Sequence, residues 1–303
     1  MADLMPDDAA LARFPSLAGA TAVEALPGGI TNRNLKVTTP EGIAVLRISS
    51  TSTGLLAIDR EAEHLNSVVA AAAGVGAPVL DYRPGEGLLL VGWLEARTYA
   101  PEDLRVEPNL RRFARTCRRL HEAEPFANRF DMLEIQARYL RTVLDHGYRL
   151  PEGYLELMPA LDRMRAALAV RPEPLVPCHN DLLAGNILDD GERMWLIDYE
   201  YSGTNDPCFE LGNAWAESEL DPEHLDVLVE EYFGSPSRAR RARALLLATL
   251  ARYGWTLWAA IQDGVSEIDF DFWTWGLAKY DRARQDMSGP GFDRLLDAVA
   301  GPD

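Results

Sequence analysis

The sequence predicts an α+β chain of two lobes, a small strand-rich one followed by a larger one made mainly of helices. Three observations point there. Short apolar runs separated by Pro and Gly turns fill much of the first hundred residues. Apolar residues at helical spacing dominate the rest. Within that second part, a compact polar run is followed by a tight hairpin. A chain of 303 residues can hold two lobes with a cleft between them, and 47% hydrophobic with 25% charged residues is the composition of a folded protein.

Taken in order, residues 1–8 are acidic and lack the apolar stretch of a secretory signal. Residues 22–26 read as a strand that runs into a turn-rich loop, Pro27 to Asn34. Residues 35–38 and 43–48 read as strands about the Pro40-Glu41-Gly42 turn. Alternation puts Ile43, Val45 and Arg47 on one face, where a cation among apolar neighbours either points outward from an edge strand or meets an anion. Residues 58–73 read as a helix, with Ile58, Ala62, Leu65, Val69 and Ala72 as its apolar face. On that wheel Glu61 lies nearer the apolar face than Glu63, so which of them could pair with Arg47 stays open. A strand over 87–91 leads to Gly92-Trp93-Leu94-Glu95, the expected hinge. It divides the chain into lobes 1–95 and 96–303.

Beyond the hinge, Leu110, Phe113, Ala114, Cys117, Leu120 and His121 form one stripe. Arg111, Arg112, Arg115, Arg118 and Arg119 lie mostly away from it, as on an amphipathic helix with a solvated basic face. His121 reads as a core or cap residue. Further helices are expected over 131–147, 152–169, 222–233, 237–262 and 269–287. The apolar stretch 244–261 has Arg252 near its middle, where a membrane would charge about 2.5–3.5 kcal/mol, so a buried helix is the better reading. The net charge of −17 argues against a nucleic-acid partner and suits a cationic one. Three scattered cysteines make neither a disulfide framework nor a zinc site, which fits the reducing cytoplasm.

The chemistry concentrates in Cys178 to Leu188 and in Trp195 to Glu200. A His-x-Asp segment ends at Asp181, and Asn186 follows five residues later. A hairpin turned by Asp189-Asp190-Gly191-Glu192 then brings in Asp198 where an apolar strand ends. Singly, each acid could be a helix cap or strand-end residue. Together they are the parts of phosphoryl transfer, with one carboxylate to orient the attacking hydroxyl and a carboxylate and an amide to hold magnesium. His179 reads as a support for the loop. Protein kinases carry His-Arg-Asp and Asp-Phe-Gly where this chain has His-Asn-Asp and Asp-Tyr-Glu, which points to a small-molecule kinase of the same architecture. In that setting the anion expected at Arg47 is an ATP phosphate, and the hinge at Trp93 would face the adenine.

With these motifs the chain resembles the choline/ethanolamine kinase family, within the wider aminoglycoside-phosphotransferase-like group, from about Leu26 to Tyr280. The resemblance rests on Gly28 to Asn34, the His-Asn-Asp run, Ile197 to Tyr201, Asn205 to Pro207, Phe209 to Asn213, and Trp255 to Gln262. It implies a two-lobed protein-kinase-like fold that uses ATP and magnesium. Asp181 would be the base, Asn186, Asp198 and Glu200 the magnesium ligands, and Thr31, Asn32 and Arg47 the triphosphate site. The family pattern places a Glu three residues after an Arg like Arg60, which favours Glu63 as the partner of Arg47 against the wheel. Glu217, Trp255, Trp258 and Trp275 match the alkylammonium pocket, where a ring face holds a cation by about 0.5–2 kcal/mol. Core packing is the plainer role for those tryptophans. Ser218-Glu219-Leu220 departs from the aromatic residues that eukaryotic choline kinases have there. Choline or ethanolamine is the expected substrate. An aminoglycoside, a thiamine-like alcohol or a sugar is the alternative on the same scaffold, and a non-catalytic pseudokinase the rival of another class.

Overall fold

The computed structural model describes residues 5–27, 31–49, 53–266 and 268–301. Gly28, Gly29 and Ile30 of the expected phosphate loop lie outside the described residues. The first part comprises α1 (Asp7–Leu11), β1 (Ala22–Leu26), β2 (Asn32–Thr39), β3 (Gly42–Ser49), α2 (Arg60–Ala72), β4 (Val79–Arg83) and β5 (Leu88–Gly92). The strands form one antiparallel sheet in the order β1-β2-β3-β5-β4. Alternation decides its two faces. Leu35, Val37, Ala44, Leu46, Ile48, Leu88 and Leu90 point to one side, where Ala10, Phe14 and Leu17 of the N-terminal segment close over them. Arg47, between Leu46 and Ile48, therefore points to the other side, toward α2.

Helix α2 corrects the expected apolar face. Leu65 and Val68 are 42% and 44% exposed, whereas Glu63, Asn66 and Ser67 are buried beside Ala62 and Ala70. The helix turns its polar side inward because those side chains have partners there. Asn66 donates to the Asn128 side chain (2.8 Å) and to the Ser202 hydroxyl (3.0 Å), and accepts from the Ala127 N–H (2.9 Å). Hydrophobic periodicity cannot report a face that is buried by hydrogen bonds and ion pairs.

After the connection at Trp93 come β6 (Arg97–Thr98), α3 (Pro101–Leu104), α4 (Glu107–His121), α5 (Met132–His146), α6 (Met158–Val170), β7 (Val176–Cys178), β8 (Ile187–Asp189), β9 (Met194–Leu196) and β10 (Gly203–Asn205). The helices α7 (Pro207–Glu217), α8 (Pro222–Phe233), α9 (Arg238–Val265), α10 (Phe272–Ser288) and α11 (Phe292–Ala300) complete the chain. The β8–β9 hairpin, joined on its edge by β6, and the β7–β10 pair are small sheets set into the helical mass. This is the two-lobed protein-kinase-like fold, a β-rich N-terminal part followed by a mainly helical one.

The basic face of α4 faces solvent as expected, and it is ion-paired as well. Arg111 and Arg115 hold Glu231 of α8 at 3.0 and 2.7 Å, and Arg112 chelates Asp189 at 2.6 and 2.9 Å. Hydrogen bonding to Arg112 holds the Asp189 carboxyl down at about 2. Helix α9 is the one described helix long and apolar enough to cross a membrane, and 94% of its most apolar window is buried within protein.

Helices α5, α7, α10 and α11 pack around α9. The α7 crossing is close because Gly212 has no side chain: a Cβ there would lie 2.2 Å from the Ala244 carbonyl oxygen. Gly212→Ala is therefore expected to lower unfolding stability by about 1–3 kcal/mol, the cost of overpacking a core. Gly54→Ala, with nothing within 4 Å of the added carbon, is the matched control and should stay within about 0.5 kcal/mol. Urea unfolding of both variants checks this, and equal losses would contradict the close crossing.

Candidate active site

The loop after β7 is fixed from behind by one buried carboxylate. Glu210 of α7 accepts from the backbone N–H groups of His179 (2.8 Å) and Asn180 (2.7 Å), and His121 approaches it at 3.4 Å. Burial works against the charge on Glu210, but these donors and the neighbouring histidines hold its carboxyl low. Asn180 adopts φ 67°, a left-handed conformation that Asn tolerates better than most residues. Its side chain donates to the Tyr201 carbonyl at 3.0 Å and accepts from Asn205 at 2.8 Å.

His179 is buried. Its Nε2–H donates to the Ile197 carbonyl (2.8 Å), and its Nδ1 accepts from the Asp181 N–H (3.3 Å). Burial pushes its pKa down, so the ring is neutral with both nitrogens engaged. It braces the two ends of the motif against each other.

Asp181, Asn186 and Asp198 come together as the hairpin folds back. The Asn186 amide donates to the Asp181 carbonyl (2.8 Å), which turns its oxygen the other way. Asp198, two residues beyond β9, has φ 73°. A non-glycine residue held there costs about 1–3 kcal/mol and persists only where its surroundings fix it. Here the Arg47 guanidinium does so by hydrogen bonding to its carboxylate.

The other arm of Arg47 meets Glu63 at 2.6 Å, so Glu63 and not Glu61 is its partner. Arg60, which the sequence reading used only as a register mark, joins the network. It holds Glu63 at 2.7 Å, Glu200 at 3.1 Å and the Asn32 side-chain oxygen at 3.1 Å. Glu200 also accepts from Thr31 and Asn32, both at 2.8 Å. Thr31 and Asn32 at the start of β2 are thus tied to the residue two beyond Asp198.

A cavity of about 90 Å³ opens between these groups and the last helices. Thr31, Asp181, Asn186, Asp198, Glu200, Tyr201, Glu217, Trp255, Trp258 and Trp275 line it together. Trp258 donates its indole N–H to the Tyr201 hydroxyl (2.7 Å) and meets Trp275 edge to face at 5.6 Å. Trp255 donates to Asn213 at 3.4 Å. Both Trp255 and Trp258 are core residues and cavity wall at once. Glu217 is held by Lys279, whose ammonium also lies over the Trp275 ring. Neither Tyr201 nor Lys279 was expected from the sequence. Trp93 is not at this cavity. Its ring stacks under the Lys36 ammonium at 4.2 Å, and its N–H donates to Glu95.

The donor set suits magnesium: a carboxylate at Asp198 and an amide oxygen at Asn186 are hard oxygens on one wall, with no sulfur or imidazole among the lining residues.

The model of the phosphotransferase enzyme family (APH) matches residues 22–246. A solved structure of a choline/ethanolamine kinase family protein from Mesorhizobium loti is 34% identical, with a TM-score of 0.84 over 97% of this chain and 98% of that one. This chain belongs to the choline/ethanolamine kinase family. Protein LicA of Haemophilus influenzae is 29% identical over 272 residues, 84% of this chain and 77% of LicA. A probable ethanolamine kinase of Arabidopsis thaliana is 26% identical over 305 residues, 87% of this chain and 79% of that protein. Membership makes the protein an ATP-dependent small-molecule phosphotransferase.

In this choline/ethanolamine kinase family member the electrostatics single out Asp181. Burial, then the carboxylates of Asp198, Glu200 and Glu217, push its pKa well above 3.8, with Lys279 pulling the other way. Asp198 goes down despite its burial because Arg47 faces it. The fold therefore binds the Asp181 proton more tightly than the unfolded chain does. From pH 3.8 up to the raised value, the native state holds the extra proton and stability falls as pH rises. Without metal, Asp181→Asn should thus be more stable than the wild type by about 0.5–2 kcal/mol at neutral pH, the usual gain from relieving a strained functional site. The gap should close as pH approaches 4. Melting both proteins in chelator across pH checks this; a variant that melts lower at neutral pH would contradict it.

Proposed function

We propose that this protein transfers the γ-phosphate of ATP to the hydroxyl of choline or ethanolamine, using magnesium. The observation that carries the reading is the single cavity in which Asp181, the Asn186–Asp198 pair, Glu217 and the tryptophans meet. A wall of three tryptophans beside Glu217 suits the cationic end of a small amino alcohol better than a sugar, which brings no cation.

Asp181 would accept a hydrogen bond from the substrate hydroxyl, align it and take its proton as the new P–O bond forms. A raised pKa makes it a better acceptor for that proton than an ordinary carboxylate. Arg47 would turn from Asp198 toward the phosphates, with Glu63 keeping its other arm in place. Thr31 and Asn32, held by Glu200, would set the loop over the triphosphate, and the hinge at Trp93 would border the adenine. Asn186 and Asp198 would hold the metal. Glu200 lines the same wall and would join them only by releasing some of its bonds to Thr31, Asn32 and Arg60. Bound magnesium would supply positive charge that offsets that of the phosphates. Glu217 and the faces of Trp255, Trp258 and Trp275 would hold the cationic end of the alcohol. We place the lobe boundary at residues 95/96 and the enzyme in the cytoplasm, where its three buried free cysteines stay reduced. No nucleic-acid or membrane partner is proposed.

ADP release should be seen with choline or ethanolamine and not with aminoglycosides, thiamine or sugars. Asp181→Asn should lose about 10²–10⁴-fold in kcat, a general base's contribution, while binding ATP as before. Asp198→Ala should lose the magnesium dependence of nucleotide binding as well as turnover. Turnover of a sugar above both amino alcohols, or a nearly active Asp181→Asn, would send the reading back to a phosphotransferase of another alcohol.

A further inference from the structure

Glu217 is the carboxylate that should meet a substrate's positive charge, yet each of its oxygens already accepts from a lysine of the chain. The Lys279 ammonium lies 2.6 Å from Oε1 and 2.6 Å from Oε2, and 4.1 Å from the centre of the Trp275 ring. The pair is sheltered, the Lys279 side chain being 12% exposed and that of Glu217 7%. Lys279 and Trp275 are four residues apart on α10 and so share one face of the helix. Gly276 between them lets α10 press against α9, since a Cβ there would lie 2.6 Å from Ala259 Cβ. The lysine reaches Glu217 from α10, while Glu217 and Trp275, but not Lys279, line the cavity. It neutralises the wall without filling the space.

We propose that Lys279 is a specificity-determining residue that makes this subsite select ammonium groups without N–H donors. The inference rests on the reading of the cavity as an amino-alcohol site. Its physical basis is acceptor supply. A primary ammonium carries three donors, and each must find an acceptor when buried. With each Glu217 oxygen already accepting from Lys279 and its charge met, Glu217 beside the three tryptophans has less acceptor capacity left for those donors, and the cavity's other oxygens belong to Asp181, Asn186, Asp198, Glu200 and Tyr201. A trimethylammonium group has no donor to satisfy. It spreads its charge over methyl groups that ring faces hold well, and it buries more apolar surface. The internal lysine thus supplies the N–H donors to Glu217 that a primary amine would otherwise bring, and the quaternary group keeps its advantage. A lysine serving the fold alone would leave the two ammonium classes equally affected by its removal.

The test separates this inference from the kinase reading by measuring binding as well as turnover. Tetramethylammonium and methylammonium are titrated against wild type, Lys279→Met and Lys279→Arg, following quenching of tryptophan fluorescence. KM and kcat for choline and ethanolamine are measured on the same three proteins. Wild type should bind tetramethylammonium at least about tenfold tighter than methylammonium, the scale of one buried donor left unpaired. Lys279→Met frees the Glu217 oxygens, so methylammonium should gain about tenfold and the ratio should collapse. The same shift should appear in KM for ethanolamine relative to choline, whereas kcat for the two alcohols should change together, since the Lys279 charge also acts on Asp181. Lys279→Arg keeps a cation on Glu217 and should keep the wild-type ratio. Should Lys279→Met not fold, Lys279→Leu, which likewise removes both the charge and the donors, should show the same fall in ratio. An unchanged ratio in the uncharged variants, a wild type that prefers methylammonium, or no binding of either probe would each overturn the inference. A ratio that collapses as described while neither alcohol is phosphorylated would uphold the role of Lys279 and overturn the kinase reading instead.

Discussion

Five carboxylates, those of Glu63, Asp181, Asp198, Glu200 and Glu217, are gathered at one cleft, and three cations of the chain make that arrangement tolerable. Arg47 and Arg60 hold Glu63, Asp198 and Glu200, and Lys279 holds Glu217. Buried carboxylates without such partners would be strongly penalised, and removing one member of such a pair costs far more than the pair contributes. Asp181 is the member with no cation bonded to it among the described residues, and its pKa rises accordingly. Much of the rest follows from serving this cluster. Helix α2 buries its polar side to deliver Glu63, Asp198 holds a left-handed backbone to face Arg47, and Glu200 ties β2 to the hairpin.

The same constraint links function to stability. With three cations for five carboxylates, the cluster keeps an excess of negative charge. Its surroundings are correspondingly over-built, with Glu210, Asn180 and His179 fixing the loop after β7 through hydrogen bonds to backbone groups that do not depend on any ligand. A loop braced in this way keeps the groups aligned before substrate arrives, which is the part of catalysis that a fold can prepare in advance.

What was legible in the sequence was local. Asp181, Asn186 and Asp198 lie within eighteen residues joined by a hairpin, so their convergence could be read from spacing and turn chemistry. Strands β2 and β3 showed themselves by alternation because one face of their sheet is apolar. The tryptophans and Glu217 were reached through family resemblance, since nothing in spacing alone separates a cage from a core. Helix α7 was not among the helices expected. Residues Pro207 to Ala216 are all buried, and a helix buried all round has no amphipathic period to detect, although Asp206 and Pro207 are a cap and first-turn pair that could have marked its start. The rotation of α2 was misread because its inward face is polar. Lys279 and Arg60 act through partners 62 and 140 residues away, a relation that only the tertiary fold creates.

If the carboxylate cluster directs a phosphoryl group onto the hydroxyl of an amino alcohol, that transfer leaves a phosphorus signature. Phosphorus NMR of the protein with magnesium, ATP and choline tests it most directly, with ethanolamine as the second substrate. The account predicts that the γ-phosphate resonance is lost as ADP and a new phosphomonoester resonance grow in equal amounts with at least one of the two alcohols. Inorganic phosphate as the only new product, or ATP left unchanged with both, would contradict it.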